Sequence, residues 1–111
     1  MTNQARERLI VIGNGMAGCR AVEEVLKRDP DRYEIVIFGA EPHVNYNRIM
    51  LSPVLAGEKK FQDIILNDEA WYADNGITLH TSCMVTSIDT VSRIVFACGG
   101  VVEKYDKLIL A

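Results

Sequence analysis

Three glycines near the start of the chain have the spacing of a phosphate-binding loop. The loop runs from Gly13 to Gly18 as G-x-G-x-x-G, directly after the apolar segment Leu9–Ile12. In this pattern the first glycine permits a tight turn, the second leaves room for phosphates, and the third lets a helix pack against the strand. A helix that begins at such a loop offers unpaired N–H groups to an anion. We therefore expect a dinucleotide pyrophosphate to lie against the loop, whose six residues are Gly13, Asn14, Gly15, Met16, Ala17 and Gly18.

One acidic residue is the candidate for binding a ribose of that dinucleotide. Glu41 follows the apolar run Tyr33–Phe38 and lies 28 positions after Gly13. A carboxylate near the end of the second strand hydrogen-bonds a ribose hydroxyl in such folds, usually about 20 residues along. The extended connection Lys27–Glu34 accounts for the longer interval. A carboxylate also disfavours a 2′-phosphate, so FAD or NAD is favoured over NADP. The alternative is that Glu41 is a solvated loop residue.

Composition excludes several classes of function. The chain has 111 residues, 49% of them hydrophobic and 24% charged, which is typical of a globular domain. Its net charge of -3 provides no basic surface for a nucleic-acid backbone. The opening Met1–Arg8 is polar, and the apolar run that follows is far too short for a signal peptide or a membrane span. We expect a cytoplasmic protein with no nucleic-acid or membrane partner.

The cysteines and histidines do not have the spacing of a metal site. Cys19, Cys83 and Cys98 form neither a disulfide framework nor a C-x-x-C pair, and we expect small buried side chains. Cys19 would lie in the first turn of a helix, where the thiolate is favoured electrostatically. His43 and His80 lack nearby ligand partners, so they are interpreted as a loop and a strand residue.

The elements that must position these residues alternate between strand and helix. A stripe of apolar residues predicts a helix that begins near Gly15 and ends at Asp29-Pro30-Asp31. Further helices are predicted over Ile49–Ala56, closing at Gly57, and over Asp68–Asp74, capped by Asn67. The predicted strands are Leu9–Ile12, Tyr33–Phe38, Ile77–His80, Met84–Ile88, Ile94–Ala97, Val101–Lys104 and Leu108–Ala111.

These elements predict an α/β fold of the Rossmann-like, FAD/NAD(P)-binding type. Four of the strands are candidates for a parallel sheet with helices, and the three between residues 84 and 104 predict a small antiparallel β-meander. Four parallel strands are fewer than such a sheet usually has, so we expect a domain that is incomplete at its C-terminus and the first piece of a larger protein. We also expect an open sheet edge to favour self-association of the chain.

Several longer motifs carry a family resemblance. Together with the glycine loop, the runs Phe38–His43, Tyr46–Pro53 and Tyr105–Ala111 resemble the N-terminal FAD segment of pyridine-nucleotide-dependent flavoprotein reductases, the pyridine nucleotide-disulfide oxidoreductase-like superfamily. The run Asn45–Glu58, followed by Leu66-Asn67 and Trp71–Ile77, is more specifically similar to the large subunit of assimilatory NAD(P)H nitrite reductases.

The resemblance implies a site and a cofactor. Residues 1–111 would be the N-terminal part of an FAD-binding domain, without its remainder, the NAD(P)H domain or the metal-centre domains. Arg48 would bind the flavin's pyrophosphate or ring edge through its fork of donors. Val85 would bind the adenine through its backbone. Asn47 and Ala111 complete the expected cofactor-binding residues. Because residues 41–60 contain no cysteine, the thiol relay of disulfide reductases is not expected.

The resemblance also implies a reaction for the intact protein. NAD(P)H would reduce FAD by hydride transfer, and the electrons would pass to nitrite, forming ammonium. Sirohaem and an iron–sulfur cluster would lie in downstream domains, since three isolated cysteines cannot hold such a cluster. A small subunit is a possible partner, and the chain alone would be inactive. Two alternatives stay open: a ferredoxin or rubredoxin NAD(P)H reductase, and a non-catalytic nucleotide-binding regulatory module.

Overall fold

The computed structural model describes residues 6–29 and 31–111, and for residue 48 the backbone alone. Strands β1 to β7 are Glu7–Ile12, Tyr33–Phe38, Thr78–His80, Val85–Asp89, Ile94–Ala97, Val101–Lys104 and Lys107–Leu110. Helices α1 to α3 are Met16–Arg28, Leu51–Leu55 and Glu69–Asp74, and short 3₁₀ turns lie at Arg48–Met50, Phe61–Ile64 and Cys98–Gly100.

Four strands form one parallel sheet in the order β3-β2-β1-β7. At its centre Ile10 of β1 lies opposite Val36 of β2 on one side and opposite Leu108 of β7 on the other. Ile10 and Val36 are completely buried, as near-continuous apolarity of these strands predicts for a sheet that is covered on both faces. The predicted α/β fold with a parallel sheet is confirmed.

Alternate residues of the strands face two different layers. Val11 packs with Cys19 and Val22 of α1 and with Tyr72 of α3, so the helices cover one face. Ile10 packs with Val95 of β5, so the meander covers the other. Each fully buried Val or Ile side chain stabilises the fold by about 1.5–3 kcal/mol relative to exposure. The two layers hold β1 in place, and the glycine loop begins directly after its last residue, Ile12.

Strands β4, β5 and β6 form the predicted antiparallel meander. The β4–β5 turn is fixed by Asp89, whose Oδ1 accepts hydrogen bonds from the N–H groups of Val91 and Ser92 at 3.0 and 3.1 Å. The β5–β6 turn uses Gly99 and Gly100, each at a φ of 79°, which few other residues adopt. Both turns lie where the sequence predicts them.

The prediction of one helix over Ile49–Ala56 is wrong in its first two residues. Residues Arg48–Met50 form a 3₁₀ turn, and the α-helix begins only at Leu51. Pro53 explains the break, because a proline ring in an α-helix clashes with the carbonyl four residues earlier. Within α2 it occupies the first turn, where it is tolerated. The helix closes before Gly57, as expected.

The predicted cap of the third helix is also wrong. Asp68 caps α3, with its Oδ1 accepting a hydrogen bond from Trp71 N–H at 2.9 Å. Asn67 is instead buried, and its Oδ1 accepts a hydrogen bond from Asn45 Nδ2 at 2.7 Å. Both residue types cap helices well, so sequence alone did not separate adjacent candidates.

The remaining boundaries differ from the predictions by one or two residues at strand ends, as expected for fraying termini. In the predicted helix stop at residues 29–31, Pro30 lies outside the described residues, as do Met1–Ala5 of the polar opening. Among the helices of the described ranges, none has the length and apolarity needed to cross a membrane.

Candidate functional site

A cleft of about 600 Å³ opens at the carboxyl end of the parallel sheet, where β1 and β2 lead into their loops. Ligands of open α/β sheets bind at this end of the strands. The cleft is lined by the whole glycine loop, by the segment after β2 and by the residue after β7: Gly13, Asn14, Gly15, Met16, Ala17, Gly18, Gly39, Ala40, Glu41, His43 and Ala111.

Two glycines of the loop are required by the protein itself. Gly13 has a φ of 118°, and a Cβ on it would lie 2.7 Å from the carbonyl oxygen of Ala111. A Cβ on Gly18 would lie 2.5 Å from the carbonyl oxygen of Gly13 and 3.2 Å from Val11 Cγ1. These contacts correspond to the tight turn and the close helix–strand packing that the pattern predicts.

Gly15 is different, because nothing in the protein requires a glycine there. Its backbone is extended, with a φ of -117°, which any residue adopts. A Cβ on Gly15 would meet no protein atom within 4 Å, yet the residue lines the cleft. The backbone of Gly15 is therefore bare at the cleft wall, where a ligand can approach it closely.

The N-terminus of α1 gives the cleft its electrostatic character. The helix is 13 residues long, has no side-chain cap at Gly15 and no acidic residue in its first turn. Its last turn carries Lys27 and Arg28, which complement the opposite pole of the helix dipole. With no carboxylate to compete for them, the first N–H groups of the helix are available to an anion in the cleft.

A hydrogen-bond network holds the loop against α3. Tyr72 O–H donates to Asn14 Oδ1 at 2.7 Å, and Asn14 Nδ2 donates to the carbonyl of His43 at 3.1 Å. The Tyr72 oxygen accepts from the N–H of Asn45 at 3.2 Å, and Cys19 Sγ donates to Asn14 Oδ1 at 3.3 Å. Burial is the main cause that raises the pKa of Tyr72, so it stays a neutral donor. The network joins both sides of the cleft.

Glu41 lines the cleft and is oriented by a tyrosine. Tyr46 O–H lies 2.9 and 3.2 Å from the two carboxylate oxygens of Glu41. The Tyr46 ring in turn packs against Phe61 and His43, with ring centroids 5.0 and 6.1 Å apart. A carboxylate can accept several hydrogen bonds at once. Glu41 thus lies beside the glycine loop, after β2, as the sequence predicts.

The other expected site residues lie at different distances from the cleft. Ala111 lines it, and its N–H donates to the carbonyl of Ile12 at 3.0 Å. Val85 borders a smaller neighbouring cavity of about 160 Å³, together with Gly13. Asn47 is not among the residues lining the cleft, and its Oδ1 accepts from Ile49 N–H at 3.1 Å. The side chain of Arg48 lies outside the described part of the chain.

The expectations for the cysteines need correction. Cys98 is exposed, whereas Cys19 and Cys83 are buried as expected. Burial is the largest cause that raises the pKa of Cys19, so the thiol is not activated as its place in the first turn of α1 suggested. His43 and His80 are a loop and a strand residue. Within residues 6–29 and 31–111 no three His, Cys, Asp or Glu side chains are grouped to hold a metal ion.

Sequence reasoning missed the residues that support the site. Tyr72 donates to Asn14, a predicted site residue 58 positions away, and accepts a hydrogen bond from the backbone N–H of Asn45. Tyr46 and Glu41 are five positions apart, but across an irregular loop with no helical or strand period to predict contact. No local pattern singled out Tyr72, because the residues three or four positions away, Asp68, Glu69 and Asn75, are also polar.

Comparison with known proteins agrees with this architecture. The model of the family described as pyridine nucleotide-disulphide oxidoreductase matches residues 7–111, which includes the glycine loop, Glu41 and β7. This chain belongs to that family. Its parallel sheet, antiparallel meander and glycine-rich cleft are therefore those of a family of oxidoreductases that use pyridine nucleotides.

Two proteins of Bacillus subtilis (strain 168) are similar over 96% of this family member. One is a "Nitrite reductase [NAD(P)H]", 49% identical, and the other an "Assimilatory nitrate reductase electron transfer subunit", 53% identical. The chain spans only 13% and 14% of their lengths. Among solved structures, NADH:rubredoxin oxidoreductase from Clostridium acetobutylicum superimposes with a TM-score of 0.83 at 31% identity, over 95% of this chain and 27% of that one.

Proposed function

We propose that the cleft binds FAD, with the pyrophosphate against residues Gly13 to Gly18 and a ribose on Glu41. The observation that carries the proposal is Gly15, a glycine that lines the cleft although an added Cβ would meet no protein atom within 4 Å. Neither the backbone nor the packing of the protein accounts for a glycine there. Close approach of phosphate oxygens to the backbone does account for it. The uncapped N-terminus of α1 supplies the matching positive end of a dipole.

The remaining contacts are assigned by position. Glu41, held by Tyr46, would accept a hydrogen bond from a ribose hydroxyl. Val85 and Ala111 line the small cavity that Gly13 also borders, where an adenine and the next part of the cofactor would be accommodated. Asn47 and Arg48 are retained as binding residues on the sequence resemblance. No residue of the chain is proposed to be catalytic.

For the parent protein we infer an NAD(P)H-dependent oxidoreductase that reduces nitrite to ammonium. The names of the B. subtilis relatives support this assignment. Bound FAD would supply a two-electron acceptor for NAD(P)H and a donor to the next redox centre. This chain's own part is to bind and orient the cofactor and to exclude water from its phosphates. Sirohaem and an iron–sulfur cluster do not fit its three cysteines, so regions beyond this sequence would hold them, with a small subunit as a further partner.

A second candidate is a ferredoxin- or rubredoxin-type NAD(P)H reductase. It is favoured by the likeness to the rubredoxin oxidoreductase structure at 31% identity. The two candidates share the FAD site proposed above and differ in the electron acceptor. Incubating the parent protein with NADH and either nitrite or an oxidised rubredoxin separates them, since each candidate predicts turnover with one acceptor.

The binding proposal is tested by titrating the purified chain with FAD and, separately, with NAD. We expect saturable quenching of flavin fluorescence and a shifted visible spectrum with FAD, and weak or no binding of NAD. Tight binding of NAD with no binding of FAD would contradict the proposal and support a nucleotide-binding regulatory module. Because flavin absorbance depends on its surroundings, a free-flavin spectrum at every protein concentration would also contradict it.

A further inference from the structure

Two cysteines that are 15 residues apart in the sequence lie against each other beside the cleft. The Sγ of Cys98 accepts a hydrogen bond from Met84 N–H at 3.3 Å and lies 3.8 Å from the carbonyl oxygen of Ser82. It therefore contacts the backbone on both sides of Cys83. The Sγ of Cys83 lies 3.6 Å from the carbonyl oxygen of Cys98. Each sulfur thus lies against the backbone at the other cysteine.

The two thiols have different surroundings. Cys98 is exposed at the end of β5, and Cys83 is 7% exposed, packed among Ile10, Phe38 and Val95. Burial, and the neighbouring Cys98 thiol, raise the pKa of Cys83. An exposed thiol beside a buried one is the arrangement in which an oxidant reaches the first sulfur and the second resolves the product.

The turn that carries Cys83 is hydrogen-bonded to two residues that line the cleft. Cys83 N–H donates to the carbonyl of Gly39 at 2.9 Å, and Ser82 N–H donates to the carbonyl of Glu41 at 2.9 Å. Ser82 itself has a φ of 50°, a left-handed conformation that is uncommon for serine. Cys83 also borders the small cavity beside Gly13. A disulfide bond to Cys83 would therefore shift the turn whose N–H groups are hydrogen-bonded to the backbone of Gly39 and Glu41.

We propose that Cys83 and Cys98 form a reversible dithiol–disulfide pair that responds to a peroxide. Hydrogen peroxide oxidises the Cys98 thiol to a sulfenic acid, and one water leaves. The Cys83 sulfur then attacks the Cys98 sulfur, forming the S–S bond. The sulfenic hydroxyl leaves with the Cys83 proton as a second water, so one peroxide consumes two thiols. A dithiol reductant reverses the bond by thiol–disulfide exchange. The reaction does not depend on the proposed FAD site.

Closing the bond would alter the cleft. A disulfide replaces the S–H contacts to the carbonyls of Ser82 and Cys98, and pulls on the turn whose N–H groups hold Gly39 and Glu41. We expect oxidation to weaken FAD binding by about fivefold, the equivalent of one hydrogen bond. This consequence, unlike the disulfide itself, rests on the proposed function.

The pair is tested by treating the folded chain with one equivalent of hydrogen peroxide and mapping tryptic peptides without reduction. Cleavage at Arg and Lys places Cys19, Cys83 and Cys98 on three different peptides, residues 9–20, 61–93 and 94–104. We expect peptide 61–93 bridged to 94–104 within a monomer, with Cys19 still alkylated by iodoacetamide after denaturation. Dithiothreitol should release the bridge.

The matched control is Cys98→Ser, which changes an exposed side chain and should fold normally. It should give no bridged peptide and no peroxide effect on FAD binding. The proposal is overturned if peroxide converts Cys98 to a sulfinic acid, or bridges two chains through Cys98, while Cys83 remains a free thiol. A bridged peptide in a chain that never binds FAD would reject the proposed function and leave the redox pair supported.

Discussion

The polar groups at the two ends of the parallel sheet differ in whether the chain itself supplies their partners. At the amino end Arg8 of β1 pairs with Glu103 at 2.9 Å and lies 3.6 Å from Glu34, and Asp106 accepts from its backbone N–H at 2.7 Å. At the carboxyl end the first turn of α1 has neither a cap nor an acid. At the amino end the charge of Arg8 is paired with carboxylates of the chain, whereas at the carboxyl end the first N–H groups of α1 border the cleft. The contrast indicates that the carboxyl end is the better suited of the two to an anionic ligand.

The largest expected effect on stability is at the loop glycine that the fold requires. Gly18→Ala places a Cβ 2.5 Å from the carbonyl oxygen of Gly13, so backbone must shift. We expect a loss of about 1–3 kcal/mol in the free energy of unfolding, the usual cost of overpacking. Urea denaturation followed by circular dichroism measures it. A variant as stable as the original chain would show that this close approach is not required.

The largest expected effect on binding alone is at Glu41. Glu41→Gln keeps the size and one acceptor oxygen but removes the charge, and Tyr46 O–H still has an acceptor. We expect FAD affinity to fall by about 1–3 kcal/mol because a ribose hydroxyl loses its charged partner. Fluorescence titration against the original chain measures the loss. Unchanged affinity would remove Glu41 from the site and leave it a loop residue.

A matched change at the amino end should lower stability and leave FAD binding nearly unchanged. Arg8→Met keeps the aliphatic stem but removes the guanidinium that pairs with Glu103 and donates to the carbonyl of Lys104 at 3.3 Å. We expect unfolding free energy to fall by about 1 kcal/mol, since the ion pair is partly exposed, and FAD affinity to stay within about twofold. If the variant lost FAD binding while remaining folded, the division between the two ends would be wrong.

The smallest expected effect is in the turn between β4 and β5. Hydrogen bonds from the backbone of Ser92 and Val91 lower the pKa of Asp89 below its ordinary 3.8. A lowered pKa in the folded state adds stability above pH 3.8 that is lost as the pH falls through the folded-state value. Asp89→Asn should therefore flatten the stability profile below about pH 4. Parallel acid unfolding curves of both chains would contradict this assignment.

The sequence predicted the strands and loop residues that line the cleft better than the side chains that hold them in place. Strand β2 was predicted with its observed bounds because a six-residue run, apolar except for Glu34, stands between two turn signals. The glycine loop and Glu41 were predicted to meet because both follow adjacent parallel strands, and both line the cleft. These predictions needed only the local pattern of apolar residues and the rule that loops after adjacent parallel strands lie at the same edge of the sheet.

What could not be predicted depends on contacts between distant segments. The bond from Tyr72 to Asn14 arises only when α3 packs beside the glycine loop. The cap at Asp68 rather than Asn67 was decided by burial of Asn67 against Asn45. In each case a polar side chain had several partners available in sequence, and tertiary packing selected one.

The most direct test of the central claim is Gly15→Ala, compared with Gly18→Ala. An added Cβ at Gly15 meets no protein atom within 4 Å, so we predict an unfolding free energy within about 0.5 kcal/mol of the original chain. We predict at the same time a fall in FAD affinity of at least about tenfold, or 1.4 kcal/mol, because the Cβ occupies the space for phosphate. A stable Gly15→Ala chain that binds FAD as tightly as before would contradict the proposed site.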